Sequence, residues 1–206
     1  MNQSAPIVFV VDDDDAVRRA LTRLIHSAGY RVEGFGSARE FLECGSSEDC
    51  TACLVLDVRL PDLNGLELQR KLNGAGRALS IIFITGHGDI PMTVSAMKAG
   101  ATDFLVKPVC ETDLLRAIET ALGHASRALA SRIELDSIRD HLARLTPRER
   151  QVLGLVVAGR LNKQVACELG TAEKTIKVHR ARVMEKMEAH SLAELVRITD
   201  KAGITR

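Results

Sequence analysis

The sequence has no tryptophan, one tyrosine and five phenylalanines, so aromatic residues make up only 3% of the chain. Its cores must therefore be aliphatic, and a hydrophobic content of 46% can supply them. No apolar run approaches the roughly 20 residues that a membrane-spanning helix requires. Residues 1–6 lack the basic and apolar regions of a signal peptide. We therefore expect a cytoplasmic protein without a membrane partner.

The five cysteines are an odd number, which suits a reducing compartment. Cys50 and Cys53 form a CxxC pair, but redox or metal chemistry would place that pair at a helix start or beside a second ligand pair. Cys53 instead begins an apolar run. We expect core and loop thiols without a redox or metal role.

Charge is distributed unevenly, although the formal net charge is only +1. Residues 1–123 carry 12 basic and 17 acidic side chains, residues 124–143 carry 3 of each, and residues 144–206 carry 13 basic and 7 acidic side chains. An acidic first part and a basic last part predict different partners, with an anion such as nucleic acid on the basic side. A solvated basic face would give the same counts, so charge alone leaves both interpretations open.

Four apolar residues, Cys53–Leu56, lead directly into Asp57. A short continuous apolar run fits a strand buried on both faces of a parallel sheet, and ligands bind at the carboxyl ends of such strands. Further strands are predicted at Ile7–Val11, Tyr30–Phe35, Leu79–Ile84 and Asp103–Val106. Helical patterns alternate with these strands, and the last of these helices is predicted at Thr112–Leu122. The predicted fold is therefore an α/β doubly wound, flavodoxin-like sheet of five parallel strands.

The rest of the chain is predicted to be helical. A 3-4-3 spacing of aliphatic residues over 124–144 indicates a helical linker, and Thr146, Pro147 and Glu149 then form a capping box that begins a new helix. Residues 145–206 are predicted to be an all-α four-helix domain, with a short helix and a longer helix separated by a turn at Gly170.

Polar side chains follow four of the predicted strands. Asp12 and Asp13 follow the first, Asp57 ends the third, Thr85 follows the fourth and Lys107 the fifth. Three crowded carboxylates repel one another unless a cation neutralises them, and such oxygen ligands favour Mg²⁺. A carboxylate nucleophile, a metal, a hydroxyl and an ammonium group are together what a phosphoryl group needs.

This set resembles the receiver domain of two-component response regulators of the FixJ type, over about residues 5–123. The matching motifs are Asp12-Asp13, Asp57, Thr85–Asp89, Met97–Ala101 and Lys107-Pro108. The resemblance implies a phosphoacceptor protein and not an enzyme, in which Asp57 takes a phosphoryl group from a sensor histidine kinase. Asp14 and Asp15 are interpreted as a helix cap and surface charge.

The resemblance also implies roles for the residues of this site. The implied Mg²⁺ ligands are Asp12, Asp13, Asp57 and the backbone carbonyl of Arg59. The implied phosphoryl-binding and switch residues are Thr85, Phe104 and Lys107. The Lys107-Pro108 bond is expected to be cis. Movement of Thr85 and Phe104 would remodel the surface from Ile90 to Lys107, through which receivers of this type dimerise.

The last part of the chain resembles the LuxR/NarL-type helix-turn-helix, over about residues 142–204. The matching motifs are Leu145–Arg150, Gly159–Ala166, Leu169-Gly170 and Thr175–Arg180. In the longer helix the apolar side is formed by Ile176, Val183, Met184 and Met187, which leaves another side for the major groove. The candidate base-reading residues are Lys177, Val178 and Ala181. The other candidate DNA contacts, mainly to phosphates, are Asn162, Lys163, Lys174, Thr175, His179 and Arg182.

These observations predict a DNA-binding transcriptional regulator switched by Mg²⁺-dependent phosphorylation of Asp57. The predicted domains are a receiver at 1–123, a linker at 124–144 and a helix-turn-helix domain at 145–206. The expected partners are a sensor histidine kinase, operator DNA, a second copy after phosphorylation and, as a further candidate, RNA polymerase.

Two alternatives are less favoured. A Mg²⁺-dependent phosphatase with Asp57 as nucleophile would need a second catalytic acid and a substrate cap, and neither is recognisable in the sequence. The second alternative is a DNA-binding protein whose acidic domain only dimerises and is never phosphorylated.

Overall fold

The computed structural model describes residues 5–44, 50–74, 79–86 and 90–204. The chain divides into two compact units, Met1–Ala130 and Ser131–Arg206. The strands of the first unit are β1 (Ile7–Val11), β2 (Arg31–Phe35), β3 (Ala52–Asp57), β4 (Ser80–Thr85) and β5 (Asp103–Val106). They form one parallel sheet in the order β2-β1-β3-β4-β5, which confirms the predicted doubly wound fold.

Helices connect these strands and cover the sheet with two separate cores. The helices that begin in this unit are α1 (Asp15–Ser27), α2 (Ala38–Cys44), α3 (Gly65–Gly74), α4 (Ile90–Lys98) and α5 (Glu111–Ala143). Alternate residues of β3 enter different cores: Leu54 and Leu56 lie in one, Cys53 and Val55 in the other. Burial on both faces is why the strands are continuously apolar.

Cys53 is a core thiol, as expected, but Cys44 and Cys167 lie exposed on helices and not in the core or in loops. All five are free, and Cys53 is fully buried in β3. Burial raises the pKa of the Cys53 thiol to about 12, so it stays protonated and unreactive at neutral pH.

The prediction that a closing helix ends at Leu122 is wrong. Helix α5 passes through Gly123 and runs on to Ala143, so the closing helix and the helical linker are one element of 33 residues. A glycine inside a helix costs only about 1 kcal/mol relative to alanine. Burial of Leu122 and Ala125 on either side of Gly123 offsets that cost.

The second unit contains the end of α5 and four further helices: α6 (Pro147–Val157), α7 (Asn162–Glu168), α8 (Glu173–Lys186) and α9 (Leu192–Lys201). Thr146 caps α6 in the predicted capping box with Glu149. The apolar side predicted for α8 packs into an aliphatic core together with Val152, Val165 and Leu195. Gly170, at φ +62°, makes the turn between α7 and α8 in a conformation that favours glycine.

His87, Gly88 and Asp89, from the receiver motif, lie outside the described residues. Within the described ranges, no helix combines the length and apolarity needed to cross a membrane.

Candidate metal centre and nucleic-acid interface

Three carboxylates meet at the carboxyl edge of the sheet. Asp12 and Asp13 directly follow β1 and Asp57 is the last residue of β3, so the parallel alignment of these neighbouring strands brings the side chains together. One carboxylate oxygen from each lies within 4.8 Å of the others. Asp12 is fully buried and Asp13 is exposed, so the cluster extends from the protein interior to solvent.

The ammonium group of Lys107 lies against two of these carboxylates. Its Nζ donates to Asp12 Oδ2 at 2.8 Å and to Asp57 Oδ2 at 2.5 Å. Burial raises the pKa of Asp12, and the hydrogen bond and charge of Lys107 only partly oppose this. Burial also acts to lower the pKa of Lys107, but its bonds to Asp12 and Asp57 outweigh that effect and raise it. Lys107 therefore stays charged.

The charge and donor chemistry of this cluster fit a divalent cation. Three carboxylates and one ammonium group sum to −2 when all are ionised, and the donors are hard oxygen atoms within one ion's reach. A divalent ion would neutralise the remaining charge and keep Asp12 ionised despite its burial. The structure thus brings together the three predicted carboxylate ligands.

The loop after Asp57 is held close to the cluster. The backbone N–H of Arg59 donates to Asp57 Oδ1 at 3.0 Å, while metal binding by the Arg59 carbonyl stays a prediction. Gly65 N–H donates to the carbonyl of Val58 at 3.0 Å and closes the loop. A Cβ at position 65 would lie 2.7 Å from the Asp57 carbonyl oxygen, so only glycine fits there without a backbone shift.

The remaining acids of the Asp12–Asp15 run have structural roles, as predicted. Asp14 caps α1 by accepting from the backbone N–H groups of Ala16 and Val17. Asp15 forms ion pairs with Arg18 and Arg19. Sequence reasoning missed a second contact of Arg18: its Nη1 donates to the backbone carbonyl of Asp12 at 2.7 Å and supports the loop that presents the acids.

The two predicted switch residues occupy β4 and β5. Thr85 ends β4 and is fully buried, and its backbone carbonyl accepts a hydrogen bond from the Lys107 N–H at 2.8 Å. Phe104 lies on β5, half-buried, with its ring centroid 6.3 Å from that of Phe83. The Lys107-Pro108 peptide bond is cis, as expected.

The outer side of α8 is a basic, solvent-accessible surface. The predicted DNA contacts that lie exposed on this helix are Lys174, Thr175, Lys177, Val178, Ala181 and Arg182. Lys163 of α7 is also exposed. The exposed fraction of Val178 is 47%, so its branched apolar side chain is accessible to a partner.

Two of the predicted DNA contacts differ from this group. Asn162 is half-buried, and its Oδ1 accepts a hydrogen bond from Arg180 Nη1 at 3.1 Å, so it joins α7 to α8. His179 is half-buried, and its Nδ1 is buried without a hydrogen-bond partner among the described residues. Sequence reasoning did not assign Arg180 a role, although it completes the Thr175–Arg180 motif.

Comparison with known proteins identifies both units. Residues 8–119 match the family described as the response regulator receiver domain, and residues 143–199 match the bacterial regulatory proteins of the luxR family. The chain belongs to the response regulators. It is therefore a DNA-binding transcriptional regulator of a two-component system, and the receiver family implies a histidine kinase as partner.

Similar proteins cover nearly the whole chain. Nodulation protein W of Bradyrhizobium diazoefficiens is 50% identical over 97% of this chain and 87% of the relative. The transcriptional regulatory protein FixJ of the same species is 43% identical over 96% of each chain. The solved structure of the response regulator StyR matches with a TM-score of 0.87 and 48% identity, covering 96% of this response regulator and 100% of StyR.

Proposed function

We propose that this response regulator is switched by Mg²⁺-dependent phosphorylation of Asp57, with the phosphoryl group supplied by a sensor histidine kinase. The observation that supports this most strongly is the position of Asp57 between Lys107 and the Asp12–Asp13 pair at the strand ends. A nucleophilic carboxylate beside a fixed cation and a divalent-cation site is suited to phosphoryl transfer.

Each group at the site has a proposed task. Asp57 Oδ accepts the phosphoryl group, Asp12, Asp13 and the Arg59 carbonyl hold Mg²⁺, and Lys107 binds a phosphoryl oxygen. When bound, Mg²⁺ would neutralise charge on the incoming phosphoryl oxygens. Thr85 supplies its hydroxyl to the phosphorylated aspartate, and Phe104 follows it inward. The protein holds the phosphoryl group and does not turn over a substrate.

A labelling experiment tests this proposal. The full chain is incubated with Mg²⁺ and ³²P-labelled acetyl phosphate, alongside Asp57→Asn and Asp13→Ala. We expect stable labelling of the wild-type chain, none of Asp57→Asn, and weak labelling of Asp13→Ala that requires far more Mg²⁺. Label on another residue of Asp57→Asn would overturn the assignment. Continuous release of phosphate would support a phosphatase, and an unlabelled wild-type chain would support a dimerisation platform.

The exposed residues of α8 are the proposed DNA-reading surface. Lys177 can donate to guanine, and the exposed methyl groups of Val178 can contact the methyl group of thymine. Lys163, Thr175 and Arg182 contact phosphates, which position the domain without reading sequence.

Phosphorylation is proposed to make two copies dimerise through the face that α4 and β5 form, here called the α4–β5 face. Ile90, Val94 and Met97 follow one another at helical spacing on α4, and Val106 lies on β5. All four are exposed, with Ile90 at 80%. An apolar stripe of this kind marks a protein contact. Two copies would then bind an operator with two half-sites and gain affinity by avidity.

Sedimentation of the full chain tests the dimer. With Mg²⁺ and beryllofluoride, a phosphoryl mimic, the wild-type chain should double its mass at micromolar concentration, whereas Val94→Asp should stay monomeric while still accepting label. If the wild-type mass stays unchanged while DNA affinity rises, dimerisation is contradicted, and release of an occluding contact becomes the mechanism.

A further inference from the structure

The C-terminal part of α5 is built into the DNA-binding unit. Ile138 is buried there, and Glu134 forms an ion pair with Lys201 of α9 at 2.6 Å. His141 Nε2 lies 3.4 Å from Glu188 Oε1, just beyond the end of α8. The second unit accordingly begins at Ser131, well before α5 ends.

Lys186, the last residue of α8, joins three structural elements through one ammonium group. Its Nζ donates to Glu149 Oε2 at 2.7 Å and to the backbone carbonyl of Arg144 at 3.2 Å. Arg144 lies in the turn that ends α5, and Glu149 belongs to the capping box that begins α6. The end of the linker helix, the start of α6 and the end of α8 therefore share one cation.

This contact is more than a favourable charge at a helix end. A lysine in the last turn of a helix gains from the helix dipole even when it is fully solvated. Lys186 instead gives up much of its hydration, because only 32% of its side chain is exposed and its carboxylate partner is 2% exposed. Directional bonds to two fixed acceptors add to the restraint that the packing of its apolar side already places on the rotation of α8 about its axis, whereas a solvated charge adds none.

We propose that Lys186 is a positioning residue, which fixes the DNA-reading face of α8 relative to the end of α5. The inference rests on the proposed function, in which two phosphorylated copies bind two half-sites. With the bond intact, the end of α5 and the reading face of α8 keep one relative orientation in each copy. A dimer with fixed reading helices accepts only one half-site spacing, whereas a dimer with loosened helices accepts several.

The test compares three forms of the full chain activated by beryllofluoride: wild type, Lys186→Met and Lys186→Arg. Methionine keeps an unbranched side chain without the ammonium group, and arginine restores a donor to Glu149. Because Lys186→Met leaves a buried carboxylate unpaired, Glu149→Gln/Lys186→Met is included as a folded alternative, checked by thermal unfolding. The probes are a duplex selected from random DNA by the activated wild-type chain, the same duplex with two base pairs inserted between the half-sites, and a single half-site.

Two inserted base pairs rotate one half-site by about 70° relative to the other, since B-DNA has about 10.5 base pairs per turn. We expect the insertion to weaken wild-type and Lys186→Arg binding by about tenfold or more, and methionine-variant binding by less than about threefold. Half-site affinity should change by less than about twofold, since the base-reading residues are untouched. The proposal would be overturned if all forms discriminated equally between the selected duplex and the duplex with the insertion. It would also be overturned if the methionine variants lost the same affinity on all three duplexes. A wild-type chain that does not dimerise on activation would instead contradict the proposed function.

Discussion

In each unit of this response regulator a lysine is bonded to a buried carboxylate, and Asp12 of the receiver and Glu149 of the DNA-binding unit differ in the direction of the pKa shift. In the receiver, burial dominates and raises the pKa of Asp12 despite its bond to Lys107. In the DNA-binding unit, hydrogen bonds from Lys186 and the Thr146 backbone dominate and lower the pKa of Glu149 to about 2.

The direction of the pKa shift distinguishes a carboxylate that can bind a cation from one whose bonds only stabilise the fold. Glu149 Oε2 accepts from the Thr146 N–H of the capping box and from Lys186 Nζ, so one lysine balances one carboxylate. Asp12 lies beside Asp13 and Asp57, and one lysine does not balance three carboxylates. A carboxylate cluster whose negative charge the protein's own cations do not balance is a candidate cation-binding site.

The comparison predicts a large pH effect at Glu149. Its pKa lies below the ordinary value of 4.5, so its stabilising contribution is complete above pH 4.5 and is lost as pH falls through about 2. Carboxyl NMR titration of the full chain should place the Glu149 midpoint near 2. In Lys186→Met the midpoint should move up towards 4.5, because the hydrogen bond that lowers the pKa most is gone. A wild-type midpoint near 4.5 would remove the contrast with Asp12.

Removal of Lys107 should destabilise the receiver in a way that Mg²⁺ reverses. Lys107→Met leaves the buried Asp12 unpaired, which should cost about 2 kcal/mol of unfolding free energy; this is less than the ~3–5 kcal/mol of a fully buried pair, because Lys107 is 21% exposed. Urea unfolding with and without Mg²⁺ measures it, with the exposed Lys98→Met as control. Equal destabilisation at saturating Mg²⁺ would show that the carboxylates do not share a cation.

The proposed DNA contacts Lys163 and Lys177 lie exposed on α7 and α8, so single substitutions there should have smaller and separable effects. Lys177→Ala should weaken binding to the selected duplex by about 1–1.5 kcal/mol, the lower part of the range for a base contact, because Lys177 also pairs with Glu173 at 3.3 Å. Lys163→Ala, which removes a proposed phosphate contact, is the matched variant. It should weaken binding to all DNA sequences alike and lower the salt slope by about one unit. Fluorescence anisotropy at several salt concentrations separates the two. An unchanged specificity ratio in Lys177→Ala would make Lys177 a phosphate contact.

Much of the receiver could be predicted because its site follows from local patterns. Each apolar run that ends in Asp12, Asp57, Thr85 or Lys107 identifies a buried strand, and parallel strands bring their carboxyl ends to one edge. The apolar side of α8 was predictable for the same reason, since a helical period of 3.6 residues assigns its faces.

The contacts between distant residues could not be predicted. Glu149 and Lys186 are 37 residues apart, and nothing in either local pattern indicates a partner. The N–H groups of Ala38 and Arg39, which begin α2, donate to Asp62, 24 and 23 residues further along the chain. The length of α5 was missed because Gly123 resembles a helix end, and only the packing on either side shows that the helix continues.

Phosphorylation of Asp57 is proposed to raise the affinity of the whole chain for operator DNA. The most direct measurement is the dissociation constant of the full chain for the selected duplex, with Mg²⁺, before and after acetyl phosphate, for wild type and Asp57→Asn. We expect wild-type affinity to rise by at least about tenfold, as avidity provides, and Asp57→Asn to stay at the unphosphorylated value. Equal affinity before and after stable labelling of Asp57 would contradict the account.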